Sequence, residues 1–245
     1  MEPHTVKDFY RKQSVVQHYS QATHRVGLWE SEKILIQRYW SKDQTILELG
    51  CGGGRIAIGL WELGYRNLTA IDYSKEMVHT SKTNAEILRY PIDFRHGDAT
   101  QLRFADQAFS GALFGFNGLM QIPQRANRLK AMSEIARVLQ PDAYFIFTSH
   151  NRANPKNRKY WQAEQKRWNQ GKQQEELDEF GDIYRETEFG PMYIHSPELQ
   201  ELKQDLRQAG FITELEMPRS KIAKEPPEVR AFSDNCRFWV TRKKE

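Results

Sequence analysis

The sequence predicts an α/β protein built on a doubly wound, mostly parallel sheet, and three observations carry that expectation. Between Thr45 and Ser149, short apolar runs alternate with amphipathic stretches of helical length, the pattern of repeated strand-helix units. A glycine-rich turn, Gly50-Cys51-Gly52-Gly53-Gly54, follows the first apolar run directly and opens a helix. Two acids, Asp72 and Asp98, stand just beyond the second and third runs, where open sheets of this class bind ligands.

The expected strands are Thr45 to Leu49, Asn67 to Ile71, Ile92 to Arg95, Gly111 to Phe116 and Ala143 to Thr148, each brief and apolar as doubly covered strands are. Helices fall between them: Arg55 to Leu63, Lys75 to Leu88 capped by Ser74, and Arg125 to Leu139, whose stop is marked by Pro141. Upstream, Val6 to Tyr19 and Leu28 to Trp40 read as two helices that pack across one edge or over the top of the sheet. Downstream, Ser196-Pro197-Glu198 starts a helix with proline in its first turn, and Gly210 ends it. Phe211 to Met217 and Phe238 to Thr241 bring the strands to seven.

A chain of 245 residues fits one elaborated domain. Residues 1–42 are expected to be N-terminal helices, 43–150 a cofactor-binding core, 151–190 an inserted helical lid and 191–245 the C-terminal part of the sheet. With 39% apolar, 28% charged and 12% aromatic residues, a disordered or collagen-like chain is excluded. The longest uncharged run, Gln107 to Gln124, is broken by Gly111, Gly115, Asn117, Gly118 and Pro123 and does not read as a membrane span. The first residues lack the apolar core of a secretory signal, so a cytoplasmic protein without a membrane partner is expected. Cys51 and Cys236 form no zinc spacing, and no metal is expected.

A net charge of +4 is too small to predict nucleic-acid binding by itself. Its distribution says more: Arg152 to Lys172 carries seven basic residues against Glu164, and Glu175 to Glu188 seven acids against Arg185. The pair reads as an inserted, solvated helical segment.

Glycines at the first turn allow positive φ and close approach of a ligand to the backbone. Glu48 lies inside the first strand, where a buried carboxylate needs a partner. Asp72, 22 residues beyond Gly50, stands where an acid accepts ribose hydroxyls, and Asp98 sits in a turn that can meet an adenine amino group. With these residues in place, Ile46-Leu47-Glu48-Leu49-Gly50-Cys51-Gly52-Gly53-Gly54 resembles the first motif of the class I S-adenosylmethionine-dependent methyltransferases. Ile71-Asp72-Tyr73-Ser74 resembles their second-strand acid, Gly97-Asp98-Ala99 their adenine-contacting turn, and Arg137-Val138-Leu139-Gln140-Pro141 with Tyr144-Phe145-Ile146-Phe147 their approach to the fifth strand.

The resemblance implies a Rossmann-like, seven-stranded sheet with an antiparallel last strand, S-adenosyl-L-methionine as cofactor, and in-line methyl transfer to a small-molecule acceptor. It departs from the family pattern at Ser110, where many members carry aspartate, and at Asp142-Ala143, which replaces a glycine pair. Cofactor contacts are expected from Tyr19, Glu48, Gly50, Cys51, Gly52, Gly54, Asp72, Tyr73, Met77, Asp98, Ala99, Phe114 and Gly115. Structural roles stand beside these: Asp72 as a helix cap, Met77 and Phe114 as core, Cys51 as filler, Tyr19 as an exposed helix residue. If the acceptor must lose a proton, His150, His195 and Tyr19 are the candidate bases. Three other functions compete. An RNA or protein acceptor would use the basic run with Tyr160, Trp161 and Trp168, a nicotinamide oxidoreductase would have to tolerate Arg55 in place of the third glycine, and a binder without turnover would share the cofactor site.

Overall fold

The computed structural model describes residues 4–245, so residues 1–3 of the expected N-terminal helical segment lie outside the described residues. Strand β1 (Ile46–Leu49) is buried at every position, as a parallel strand covered by helices on both faces must be. β2 (Leu68–Asp72) and β3 (Asp93–His96) lie to one side of it, β4 (Phe109–Phe114) and β5 (Leu139–Ser149) to the other, all parallel. Past a small hairpin of β6 (Asp182–Thr187) and β7 (Gly190–His195), the chain returns as β8 (Phe211–Pro218) and β9 (Arg237–Lys243). The order is β3-β2-β1-β4-β5-β9-β8, and β9 runs antiparallel to both neighbours, as the resemblance implies.

Three helices precede the sheet: α1 (His4–Arg11), α2 (Gln13–Arg25) and α3 (Glu30–Tyr39). α4 (Arg55–Glu62), α5 (Lys75–Ile87) and α6 (Arg125–Val138) connect the parallel strands, with the Ser74 side chain accepting the Met77 N–H at the start of α5. α7 (Arg158–Asn169) lies in the insert, α8 (Leu199–Gln208) precedes β8, and α9 (Arg219–Ile222) and α10 (Pro227–Phe232) fill the link to β9. Alternate strand residues feed two cores: Leu47, Leu49, Phe145 and Phe147 meet α6 and α8, whereas Ile46, Ile146 and Phe238 meet α3 and α4.

Several expectations need correction. The single helix expected over Val6 to Tyr19 breaks at Lys12 (φ −59, ψ 129), whose ammonium is held by the Phe189 carbonyl, and α2 then continues to Arg25. α3 starts at Glu30 because Glu32 reaches back to the Trp29 N–H. β4 ends at Phe114, since Phe116 (φ 48) and Asn117 (φ 59) turn into the left-handed region. α6 stops at Val138, one residue before the expected end, and Pro141 lies in the exposed start of β5, which begins four residues earlier than expected. Pro197 precedes the Glu198 cap of α8 and is outside its first turn.

The insert is helical only in its basic half. Its acidic half, expected to be helical, is a loop followed by the β6–β7 hairpin, whose turn uses Gly190 at φ 103. Asp142, standing where the family pattern has glycine, takes φ 61.

Candidate functional site

After Leu49 the backbone turns left-handed at Gly50 (φ 64) and Gly52 (φ 53), which L side chains adopt only with strain, and reaches α4 through Gly54. α2 lies directly on this loop. A Cβ at Gly53 would stand 2.8 Å from the Tyr19 carbonyl oxygen, and the Gly53 carbonyl takes the Thr23 hydroxyl at 3.1 Å and the Asn84 amide at 2.8 Å.

Asp72, at the tip of β2, ties the loop down: Oδ2 accepts the Gly52 N–H and Oδ1 the Ser74 N–H, both at 2.8 Å. Burial pushes this carboxyl above its usual range, and the N–H groups of Ser74 and Gly52 oppose the shift. Asp98 accepts both the N–H and the hydroxyl of Thr100 at 2.8 Å through one oxygen. Glu48 is buried in β1 with Oε2 unpartnered, and burial pushes its carboxyl up to about 8 against the pull of Arg55. Arg55 itself makes a two-pronged pair with Glu32, both arms at 2.7 Å, which anchors α4 to α3.

Asp72, Asp98 and Glu48 line one cavity of about 260 Å³ over the carboxyl ends of β1 to β4. Of the sequence-predicted residues, Tyr19, Gly50, Cys51 and Gly52 line it too, as do Tyr73, Met77, Ala99, Phe114 and Gly115. Gly54 does not; it caps α4 and a Cβ there would meet Ser81, Phe94 and Ile58. The Cys51 thiol is buried and its pKa lies well above the ordinary value because of that burial.

The candidate bases are not brought together. Only Tyr19 reaches the cavity, and burial pushes its phenol up to about 12. His150 stands behind Asn117, 3.4 Å from its amide nitrogen, and burial lowers its pKa. His195 is fully engaged elsewhere: Nδ1 lies 2.8 Å from Asp182 and Nε2 2.7 Å from Glu201. Burial works against its charge, but the two carboxylates prevail and raise its pKa. Asp182 and Glu201, pushed up by burial, are held below their usual ranges by these bonds. Arg128 pairs with Glu179 and Arg152 with Glu201, so the cluster is an ionic staple joining the hairpin to α6 and α8.

The sequence reading missed the cover of the cavity. None of residues 151–190, expected to form the lid, lines it; Val6, Lys7 and Tyr10 of α1 and Ala22 of α2 do, and Phe232 arrives from α10. The insert acts one layer out, where Phe189 packs on His18 at 5.2 Å; just beyond the insert, in β7, the Met192 sulfur lies 3.5 Å from the Tyr10 hydroxyl. The two tyrosines nine residues apart in a helical stretch were the available signal for α1. For Phe232 there was none.

Comparisons with known proteins find methyltransferases. A family described as "Methyltransferase domain" matches residues 46–142. The chain is 30% identical over 114 residues to a ubiquinone biosynthesis O-methyltransferase of Alkalilimnicola ehrlichii, covering 46% of this chain and 44% of that one. It is 29% identical over 159 residues to a demethylmenaquinone methyltransferase of Lactobacillus johnsonii, covering 61% and 63%. The matched stretches thus span less than two thirds of these curated relatives. A solved SAM-dependent methyltransferase of Methanosarcina mazei shares the fold, with a TM-score of 0.69 at 24% identity over 86% of this chain and 97% of that one.

Proposed function

We propose, from the premise that the chain belongs to the class I S-adenosylmethionine-dependent methyltransferase family, that it transfers a methyl group from S-adenosylmethionine to a small-molecule acceptor bound in the same cavity. The observation that carries this reading is the placement of Asp72, Asp98 and the unpartnered Glu48 oxygen around one cavity. Each Asp72 oxygen accepts one backbone N–H and keeps a lone pair for a ribose hydroxyl. Asp98 meets the adenine amino group, and Glu48, ionised against a ligand ammonium, loses the cost of its isolated burial.

The bound sulfonium supplies an electrophilic methyl open to in-line displacement. The chain contributes alignment and exclusion of water, with α1 and α2 closing over the glycine loop. Tyr19 keeps its proton at neutral pH and orients the acceptor as a hydrogen-bond donor; His150 and His195 do not line the cavity.

A small acceptor is supported by this enclosure and by the names of the relatives, which refer to ubiquinone biosynthesis and demethylmenaquinone. The basic run that would serve RNA or protein lies on the insert, away from the cavity lining. Arg55, the obstacle to a nicotinamide reading, is committed to Glu32. An acceptor screen read by S-adenosylhomocysteine formation tests the proposal: turnover with a small acceptor is expected, and turnover only with RNA or protein would overturn it.

A further inference from the structure

The cavity has two chemically different ends. Asp98 follows β3 and Phe116 follows β4, and with β2 and β1 between them these strands put the ends about 14 Å apart at the usual strand spacing. Asp72 and Asp98 belong to the first end, where Lys7 also lies 4.8 Å over the Tyr73 ring. At the β4 end three rings meet in a corner. Phe116 and Phe232 lie 5.0 Å apart and 37° from parallel, while Tyr19 stands nearly perpendicular to both, at 87° and 85°. All three are only partly buried and line the cavity. His18 stacks on Phe232 at 5.4 Å without lining the cavity, so one face of that ring is already covered.

Phe116 is held there against its backbone preference. It and Asn117 are consecutive non-glycine residues at φ 48 and 59, fixed by the bond from the Asn117 N–H to the Thr148 hydroxyl at 2.7 Å. Strain of this kind persists where surrounding contacts impose it, and it clusters at ligand sites.

We propose that this corner is the acceptor subsite and that it takes a planar, uncharged ring, an aromatic or conjugated cyclic compound. The inference rests on the methyltransferase reading and extends it to the substrate class. A flat ring stacks offset on Phe116 and Phe232 while presenting its edge to Tyr19, the two arrangements aromatic pairs prefer. An anionic group would lose hydration there without gaining a counter-charge, because Arg55 is bound to Glu32, while Glu48, which also lines the cavity, is assigned to the cofactor ammonium and is not left for a cationic acceptor.

The test is calorimetry on the full chain saturated with S-adenosylhomocysteine, using naphthol, its saturated analogue decahydronaphthol, and naphthoate as probes. Naphthol should bind at least about tenfold more tightly than either other probe. Phe232→Ala should weaken naphthol by about tenfold with S-adenosylhomocysteine affinity kept within about twofold, and Phe232→Leu, which keeps bulk but not the ring, should weaken it less. Equal affinity for the three probes, or indifference of naphthol to both variants, overturns the subsite. Should the alanine variant fail to fold, the leucine variant decides. Failure of S-adenosylhomocysteine itself to bind the unmodified chain is seen in the first titration and overturns the methyltransferase reading instead, and the subsite with it.

Discussion

The Asp72 carboxylate at the tip of β2 accepts the backbone N–H of Gly52 at 2.8 Å, so the acid expected to hold a ribose also holds the loop that shapes the site. Its other oxygen takes the Ser74 N–H at the start of α5. Replacing one carboxylate oxygen by an amide NH2 sets a donor against one of these donors. Asp72→Asn is therefore expected to destabilise the chain by about 1–3 kcal/mol, read as a lowered melting point. An unchanged melting point would show that the loop does not depend on this carboxylate.

Glu48 links ligand binding to protons. In the ligand-free protein its carboxyl is pushed up to about 8 by burial, so at pH 7 it is mostly protonated. A cationic ammonium placed beside it favours the carboxylate, and binding near pH 7 should release close to one proton. Titrations in buffers of different ionisation enthalpy measure that release, which should vanish in Glu48→Gln. The same raised pKa means that the folded chain holds this proton where the unfolded chain has lost it. Glu48 therefore subtracts stability progressively as pH rises from about 4.5 to 8.

The cover of the cavity is predicted to be α1 and α2, with the insert as an outer brace. Saturation with S-adenosylhomocysteine should slow tryptic cleavage at Lys7, Arg11 and Lys12 and leave cleavage at Arg158, Lys159 and Lys166 in α7 unchanged. Protection confined to α7 would restore the insert as the lid.

His195 is predicted to matter for stability and not for the reaction. His195→Ala removes the imidazole from buried Asp182, which keeps the Tyr193 hydroxyl and the Asp178 and Glu179 N–H groups, and from the partly buried Glu201, which keeps Arg152; the loss is expected to cost about 1–3 kcal/mol. The raised His195 pKa gives a contribution fully present below about 6.5 and lost as pH rises through the folded value. The lowered Asp182 and Glu201 pKa values give one present above their unfolded values near 4 and lost as pH falls. The staple is thus strongest between about pH 4.5 and 6.5, and the melting-point difference between wild type and His195→Ala should peak there. A fall in activity beyond the loss of folded protein would argue for a direct role.

Much of the core was legible because its signals are local. Gly50 and Gly52 announce a turn with positive φ, Asp72 and Asp98 follow strand ends, and Ser74 caps α5 as expected from residue type alone. What was not legible depends on contacts distant in sequence. Nothing at Lys12 marks a helix break, and the contact its ammonium makes there is with the Phe189 carbonyl, 177 residues away. Phe232 has no motif, and only the α10 excursion brings it to Phe116. The acidic half of the insert read as helix because its charges signalled solvent exposure, and the hairpin that follows it turns at Gly190. His195 looked like a candidate base because sequence shows a histidine without showing that both ring nitrogens are taken.

Calorimetric titration with S-adenosylhomocysteine of the unmodified chain, Asp72→Ala and Asp98→Ala tests the central claim most directly. The account predicts saturable binding by the unmodified chain, weakened at least about tenfold in each variant as charge-assisted hydrogen bonds to the nucleoside are removed. No heat from the unmodified chain, or equal affinity in all three proteins, would contradict it.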